Sequence, residues 1–178
     1  MSIEREPEYY DDYYRNSSEY TLPYGKSVYY DMWKIVLSLI PDKIPIIELG
    51  CGTGQFAQMC IDAGKNYFYG YDFSLEAITI AKENFNLRVC RVGDITKVNI
   101  GNCIVVCLET LEHTRDFKVI ENIGLGKEFI FSLPDFAHPS HVRYFHSVNE
   151  IVDRYKNVIK FDYIQKFQSW YICKGTTI

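Results

Sequence analysis

The spacing of apolar positions changes along the chain and marks out its elements. Tyr29, Met32, Trp33, Val36, Leu37 and Ile40 recur at helical intervals, and Pro41 closes that helix. Ile44 to Leu49 is a short, almost wholly apolar run, as a parallel strand covered on both faces requires. Glycines 50, 52 and 54 follow, then Phe56, Met59, Cys60 and Ala63 at helical spacing, stopped by Gly64. Tyr67–Tyr71 reads as a second strand, and Ser74 caps a helix through Leu75, Ile78, Ala81 and Phe85. Further strands are predicted at Leu87–Val92, Cys103–Leu108 and Phe129–Leu133, with helices over Leu111–Ile123 and Val148–Tyr155. The last runs, Val158–Ile164 and Phe167–Cys173, lie close enough to pair as an antiparallel hairpin. Alternating strands and helices predict a parallel, doubly wound α/β sheet with right-handed crossovers. Ahead of it, Tyr9, Tyr10, Tyr13, Tyr14, Tyr20 and Tyr24 crowd an acidic stretch. They predict a Tyr-rich helical extension over residues 1–41 that packs on, or serves as a lid over, a core at 42–178, in one domain.

Composition narrows the function classes. With 47% hydrophobic and 24% charged residues among 178, the chain is not disordered. No apolar run approaches the roughly 20 residues of a membrane-spanning helix, and the charged start Met1–Glu6 lacks a signal peptide's apolar stretch. A cytoplasmic protein without a membrane partner is expected, as a monomer or homodimer. A net charge of −4 and seven scattered arginines argue against a nucleic-acid partner and for a small-molecule substrate. Six cysteines without a C-x-x-C pair predict buried free thiols rather than disulfides. Cys103 and Cys107 fall on the same face of one strand, which disfavours a structural zinc site.

In an open α/β sheet, ligands bind beyond the carboxyl ends of the strands, and Glu48-Leu49-Gly50-Cys51-Gly52-Thr53-Gly54 stands at that place. Glycine there lets a ligand approach the main chain, and the helix that begins near Gly54 offers unpaired amides. A dinucleotide fingerprint would need a third glycine at position 55, where this chain has Gln55. With the acid Glu48 ahead of it, the turn instead resembles motif I of class I S-adenosylmethionine-dependent methyltransferases. Gly70-Tyr71-Asp72-Phe73-Ser74 and Val92-Gly93-Asp94-Ile95 resemble that family's next two motifs, in order, although Asp72 also reads as a helix cap and Gly93-Asp94 as an ordinary turn.

The resemblance implies S-adenosylmethionine as cofactor. It gives Glu48 the cationic methionine end, and Gly50, Cys51, Gly52, Thr53 and Gly54 the main-chain cradle. It gives Asp72 the ribose hydroxyls, Phe73 a flank of the adenine, and Gly93, Asp94 and Ile95 the adenine edge, with Leu108 and Tyr20 along the cofactor. It also implies a three-layer Rossmann-like fold whose mostly parallel seven-stranded sheet has the order 3-2-1-4-5-7-6.

The segment Glu109-Thr110-Leu111-Glu112-His113 follows the fourth strand. The pattern E-x-x-E-H is found in small-molecule O-methyltransferases of the ubiquinone-biosynthesis kind. It is also found in small-RNA 2′-O-methyltransferases, where it binds a divalent metal. On a helix, positions 109, 112 and 113 share one face. His113 is then the expected general base, with Glu109, Glu112 and His141 completing the catalytic set. A divalent metal is the less favoured variant, and no metal ligand is assigned. His138 and Arg143 are expected to bind substrate, Arg143 through an anionic group. The expected reaction is methyl transfer to an oxygen of a small molecule, such as a phosphorylated or sugar-linked metabolite. The alternatives are a non-catalytic cofactor-binding module or a nicotinamide-dependent oxidoreductase. Gln55 and the lack of a Tyr-x-x-x-Lys pair in the expected region count against the oxidoreductase.

Overall fold

Ile46–Leu49 (β1) is buried along its whole length because strands flank it on both sides and helices cover both faces. The computed structural model describes residues 4–178; Met1–Ile3, where the N-terminal extension starts, lie outside the described residues. Before β1 come α1 (Pro7–Asn16), two short 3-10 turns (Ser18–Thr21 and Tyr24–Lys26) and α2 (Tyr30–Leu39). After it run α3 (Gln55–Asp62), β2 (Tyr67–Asp72), α4 (Leu75–Phe85), β3 (Cys90–Val92) and β4 (Ile104–Cys107). A 3-10 turn at Leu111–His113 leads to α5 (Asp116–Ile123), β5 (Glu128–Pro134), α6 (Val148–Tyr155), β6 (Ile159–Phe167) and β7 (Trp170–Thr177).

These strands form one seven-stranded sheet of order β3-β2-β1-β4-β5-β7-β6. The first five are parallel, and β7 pairs antiparallel with both β5 and β6. This is the Rossmann-like order expected above, with the terminal hairpin in place. Apolar side chains fill both faces. On one side Met32, Trp33 and Val36 of α2 meet Phe56, Met59 and Cys60 of α3. On the other, Val105 and Cys107 meet Val119, Ile120 and Ile123 of α5 and Ile151 and Tyr155 of α6. Cys103 packs on the same cluster as Cys107, and the cysteines are free thiols. Among the described residues no helix is long and apolar enough to cross a membrane.

The continuous helix expected over Leu111–Ile123 is the main local correction. Glu109 sits in the left-handed region (φ 49°), and the Leu111–His113 turn ends at Thr114, which is fully extended (φ −132°, ψ −179°). α5 therefore begins only at Asp116. Glu109, Glu112 and His113 do not share a helical face; a turn places them instead. Three strands are also shorter than expected, β1 starting at Ile46 rather than Ile44, β3 at Cys90 rather than Leu87, and β4 spanning Ile104–Cys107 rather than Cys103–Leu108.

Candidate functional site

A cavity of about 710 Å³ opens at the carboxyl ends of β1, β2 and β4, with α1 and the turn after it as its roof. That volume falls within the range of small-ligand and cofactor pockets. The floor is the glycine turn. Gly50 takes φ +78°, and a side chain there would drive a Cβ to 2.1 Å from Thr110 Oγ1, so only glycine fits between β1 and the segment after β4. Asp72 straps this turn to the end of β2: Oδ2 accepts from the Gly52 amide (2.9 Å) and Oδ1 from the Ser74 amide (2.9 Å). Burial lifts the Asp72 carboxyl to about 6, with the three amide donors pulling the other way. Glu48, 3% exposed, lies beside it, pushed by burial to about 8.

The N-terminal segment is tied to this floor by Gln55, which separates the turn from a dinucleotide fingerprint, and by Thr53 and Ser74. Gln55 Nε2 donates to the carbonyls of Glu19 (3.1 Å) and Leu22 (2.7 Å), and Thr53 Oγ1 donates to that of Tyr20 (2.8 Å). Asp11 of α1 accepts from Ser74 Oγ (2.5 Å) and from the Glu76 amide (3.1 Å). These contacts bring the Tyr14 hydroxyl over Gly52 and the Tyr10 ring to 5.1 Å from Phe73 and 5.7 Å from His113.

The far end of the cavity carries imidazoles and acids. His113 Nδ1 lies 3.0 Å from the Ser140 carbonyl and His141 Nδ1 3.1 Å from the Phe136 carbonyl. A carbonyl only accepts, so each Nδ1 holds the hydrogen and each Nε2 keeps a free lone pair. Burial lowers both imidazoles, His113 to about 4, so both are neutral at pH 7. Glu112 is fully buried, and among the described residues neither carboxylate oxygen has a hydrogen-bond partner; His113 Nε2 stands 3.5 Å from Oε1 without bonding it. Burial, reinforced by Glu109, pushes the Glu112 carboxyl well above the usual range. Glu109 is raised by burial as well, yet it has donors, Ser132 Oγ at 2.8 Å and Trp170 Nε1 at 2.7 Å.

Most sequence-expected residues meet here. Glu48, Gly50, Cys51, Gly52, Thr53, Asp72 and Phe73 line the cavity, as do Asp94, Ile95, Leu108 and Tyr20. So do Glu109, His113, His138 and His141, with Glu112 directly behind His113. Gly54 and Gly93 do not: a side chain on Gly54 would strike Leu87, and one on Gly93 the Tyr71 ring, so both glycines serve packing. Asp94 lines the wall with its oxygens already engaged by Thr96 and Lys97, which hold its carboxyl down to about 2. Arg143 is a correction. Its guanidinium turns inward to the carbonyls of Leu111 and Thr114 (2.7 Å for the latter) and to Asp116 (3.4 Å), which end the 3-10 turn. The expectation singled out neither Tyr10 nor Tyr29 nor Arg5 as a site residue, yet all three line the cavity. The crowding of tyrosines in an acidic stretch was a signal for Tyr10 alone; Tyr29 was legible only as the first apolar position of the pattern that predicts α2, and Arg5 had no local signal.

Residues 46–123 match a family model described as a methyltransferase domain. No curated protein matches the chain. Among solved structures, a protein from Pyrococcus horikoshii OT3 is 16% identical (TM-score 0.73), covering 94% of this chain and 99% of its own. A magnesium protoporphyrin IX methyltransferase from Synechocystis PCC 6803 with bound SAM is 14% identical (TM-score 0.68), covering 99% of each chain. The small RNA methyltransferase HEN1 is also 14% identical (TM-score 0.66), with 83% of this chain matching 25% of that one. At these identities the likeness is one of fold.

Proposed function

We propose that this chain, a class I methyltransferase with S-adenosylmethionine as its cofactor, methylates an oxygen of a small-molecule acceptor held between α1 and the loop 136–141. The residues present suit that cofactor. Gly50 and Gly52 present bare main chain to the cavity, and the buried acids Glu48 and Asp72 on the floor favour a cationic ligand. When bound, the cofactor supplies an electrophilic methyl group on a sulfonium.

The observation that carries the oxygen-acceptor reading is the state of His113. Its Nδ1–H is fixed to the Ser140 carbonyl, its Nε2 lone pair is free, and burial keeps it unprotonated at neutral pH. A hydroxyl acceptor must lose its proton as it attacks, and His113 Nε2 is placed to take it. Tyr10 adds a buried hydroxyl without a partner beside His113, a donor for an acceptor oxygen. The net charge of −4 supports a metabolite over a nucleic acid. A phosphorylated acceptor loses the support Arg143 was expected to give.

A second reading has an observation of its own. Ligand atoms of Glu112, His113 and His141 lie within 4.8 Å of one another, and the Glu112 carboxylate has no donor. Imidazoles whose Nδ1–H is bound to a carbonyl are oriented as metal ligands are. These three residues would hold a divalent cation, which would lower the acceptor hydroxyl's pKa. The test for the base is His113→Ala: adenosylhomocysteine formation should fall by about 100-fold or more while cofactor Kd by calorimetry is kept. Unchanged turnover removes His113 from the chemistry. Manganese titration followed by calorimetry, independent of turnover, decides the cation: no heat in wild type, or heat that survives Glu112→Gln, rejects it.

A further inference from the structure

Glu48 lies in the middle of the sheet, in the central strand β1, paired in register with Gly70 of β2. A carboxylate there is costly unless something donates to it. Among the described residues one side chain does: the Tyr67 hydroxyl hydrogen-bonds Glu48 Oε2, and both groups are buried. Tyr67 opens β2, three residues before Gly70, so its ring must run along the strand to reach Glu48. Gly70 makes the passage: a Cβ on it would stand 2.5 Å from the Tyr67 hydroxyl and 2.8 Å from Cys51 Cβ. The phenol therefore crosses over a glycine to meet the acid at the base of the cofactor turn. Glu48 lines the cavity, whereas Tyr67 is not among its lining residues.

We propose that Tyr67 is a positioning residue for the cofactor: its hydroxyl holds the Glu48 carboxyl against the glycine turn and favours the ionised form that a cationic ligand draws out on binding. The proposal rests on S-adenosylmethionine being the ligand and concerns what lies behind the first layer of contacts. The remaining titratable groups around Glu48 are Asp72 of β2, Cys51 of the turn, Cys60 of α3 and Cys107 of β4. Burial keeps the three thiols protonated at neutral pH, so none competes. Burial also raises the Tyr67 phenol far above 10, so it stays a donor throughout.

In the free protein Glu48, at about 8, is largely protonated at pH 7, while Asp72, at about 6, is largely ionised. A cation entering the turn favours the Glu48 carboxylate, so its proton leaves to buffer. Affinity should accordingly rise with pH towards 8. Removing the Tyr67 donor disfavours the carboxylate, moves Glu48 further up and carries that profile to higher pH.

The experiment is calorimetric titration of S-adenosylmethionine into wild type, Tyr67→Phe, Glu48→Gln and the double variant, at pH 7 in buffers of different ionisation enthalpy. Wild type should release on the order of one proton on binding. Any protonation of the ligand's own amino group is uptake, of opposite sign. Tyr67→Phe should bind about tenfold more weakly, with its pH profile displaced upwards. Glu48→Gln should abolish the release, and on that background Tyr67→Phe should add nothing. Wild-type affinity and an unmoved pH profile in Tyr67→Phe overturn the proposal, as does a Tyr67→Phe loss that persists in full on the Glu48→Gln background. Lack of any binding by wild type removes the cofactor reading itself, a different failure. Ligand-induced melting shifts give the same comparison if Tyr67→Phe loses stability.

Discussion

Glu112 is buried, carries two oxygens without donors among the described residues, and sits on a turn that nothing in the sheet requires to be acidic. Replacing it with methionine, unbranched and of similar length, should therefore stabilise the fold. A buried polar group without a partner costs about 1–3 kcal/mol, and the exchange removes that cost without opening a cavity. For a chain of this length that is a rise of about 2–12 °C in Tm. The pH dependence follows from the direction of the shift. Because burial raises the Glu112 carboxyl above 4.5, the folded protein holds this proton more tightly than the unfolded one. The group's contribution is complete below the unfolded value and is lost as pH climbs towards the folded one. The advantage of Glu112→Met should thus be small at pH 4 and grow towards pH 7, as urea unfolding at several pH values will show, while turnover falls. A variant less stable than wild type at pH 7, or an advantage that ignores pH, would refute the reasoning and mean that Glu112 has a partner in solution.

Gly50→Ala forces a side chain into Thr110 at φ +78° and should cost about 1–3 kcal/mol of backbone strain, with cofactor affinity falling by about tenfold; unfolding and calorimetry check both. Asp116 is held by Arg154 (2.7 and 3.0 Å) and by the Tyr155 hydroxyl (2.7 Å), outside the cavity. Burial raises its carboxyl, but these partners and Arg143 outweigh it and hold it below the usual range. Its stabilisation is present above the unfolded value and lost as pH falls through the folded one. Asp116→Asn should cost about 3–5 kcal/mol at pH 7 and flatten the acid limb of the stability curve, leaving cofactor Kd unchanged.

The strands were legible because a parallel sheet covered on both faces must be mostly apolar: β4 is wholly so, and β1 and β5 are but for Glu48 in the one and Glu128 and Ser132 in the other. The glycine turn was legible because Gly50, Gly52 and Gly54 all take positive φ, a local demand that glycine itself announces in the sequence. What escaped is what long-range partners decide. Glu109 leaves helical geometry because its amide donates to Ser132 Oγ (2.8 Å) and its carboxylate reaches Trp170, 61 residues away. Neither partner is visible in the local pattern, which still spells a helical face. Arg143 reads as a free cation beside two histidines, yet the carbonyls of a turn that does not continue into helix claim it. Tyr10 and Tyr14 lie on α1, which has no fully buried residue, so no periodicity pointed to the faces they present.

Four acids, three in the cavity wall and Glu112 behind His113, share one condition. Burial is the largest influence on Glu48, Asp72, Glu109 and Glu112, and it raises every one of them. No lysine or arginine is ion-paired to any of the four among the described residues, although the chain places Arg154 and Arg143 on Asp116 just outside. A fold that neutralises Asp116 so completely, and pairs Asp94 at the cavity rim with Lys97, has left these four acids without an ion pair to lysine or arginine among the described residues. That pattern is selective, and it sets the charge of what the cavity takes. An anionic ligand would meet further repulsion, whereas a cationic one restores ionisation and recovers stability that the free protein forgoes. The preference for a positively charged cofactor therefore follows from the lack of an ion-paired lysine or arginine at these four acids among the described residues.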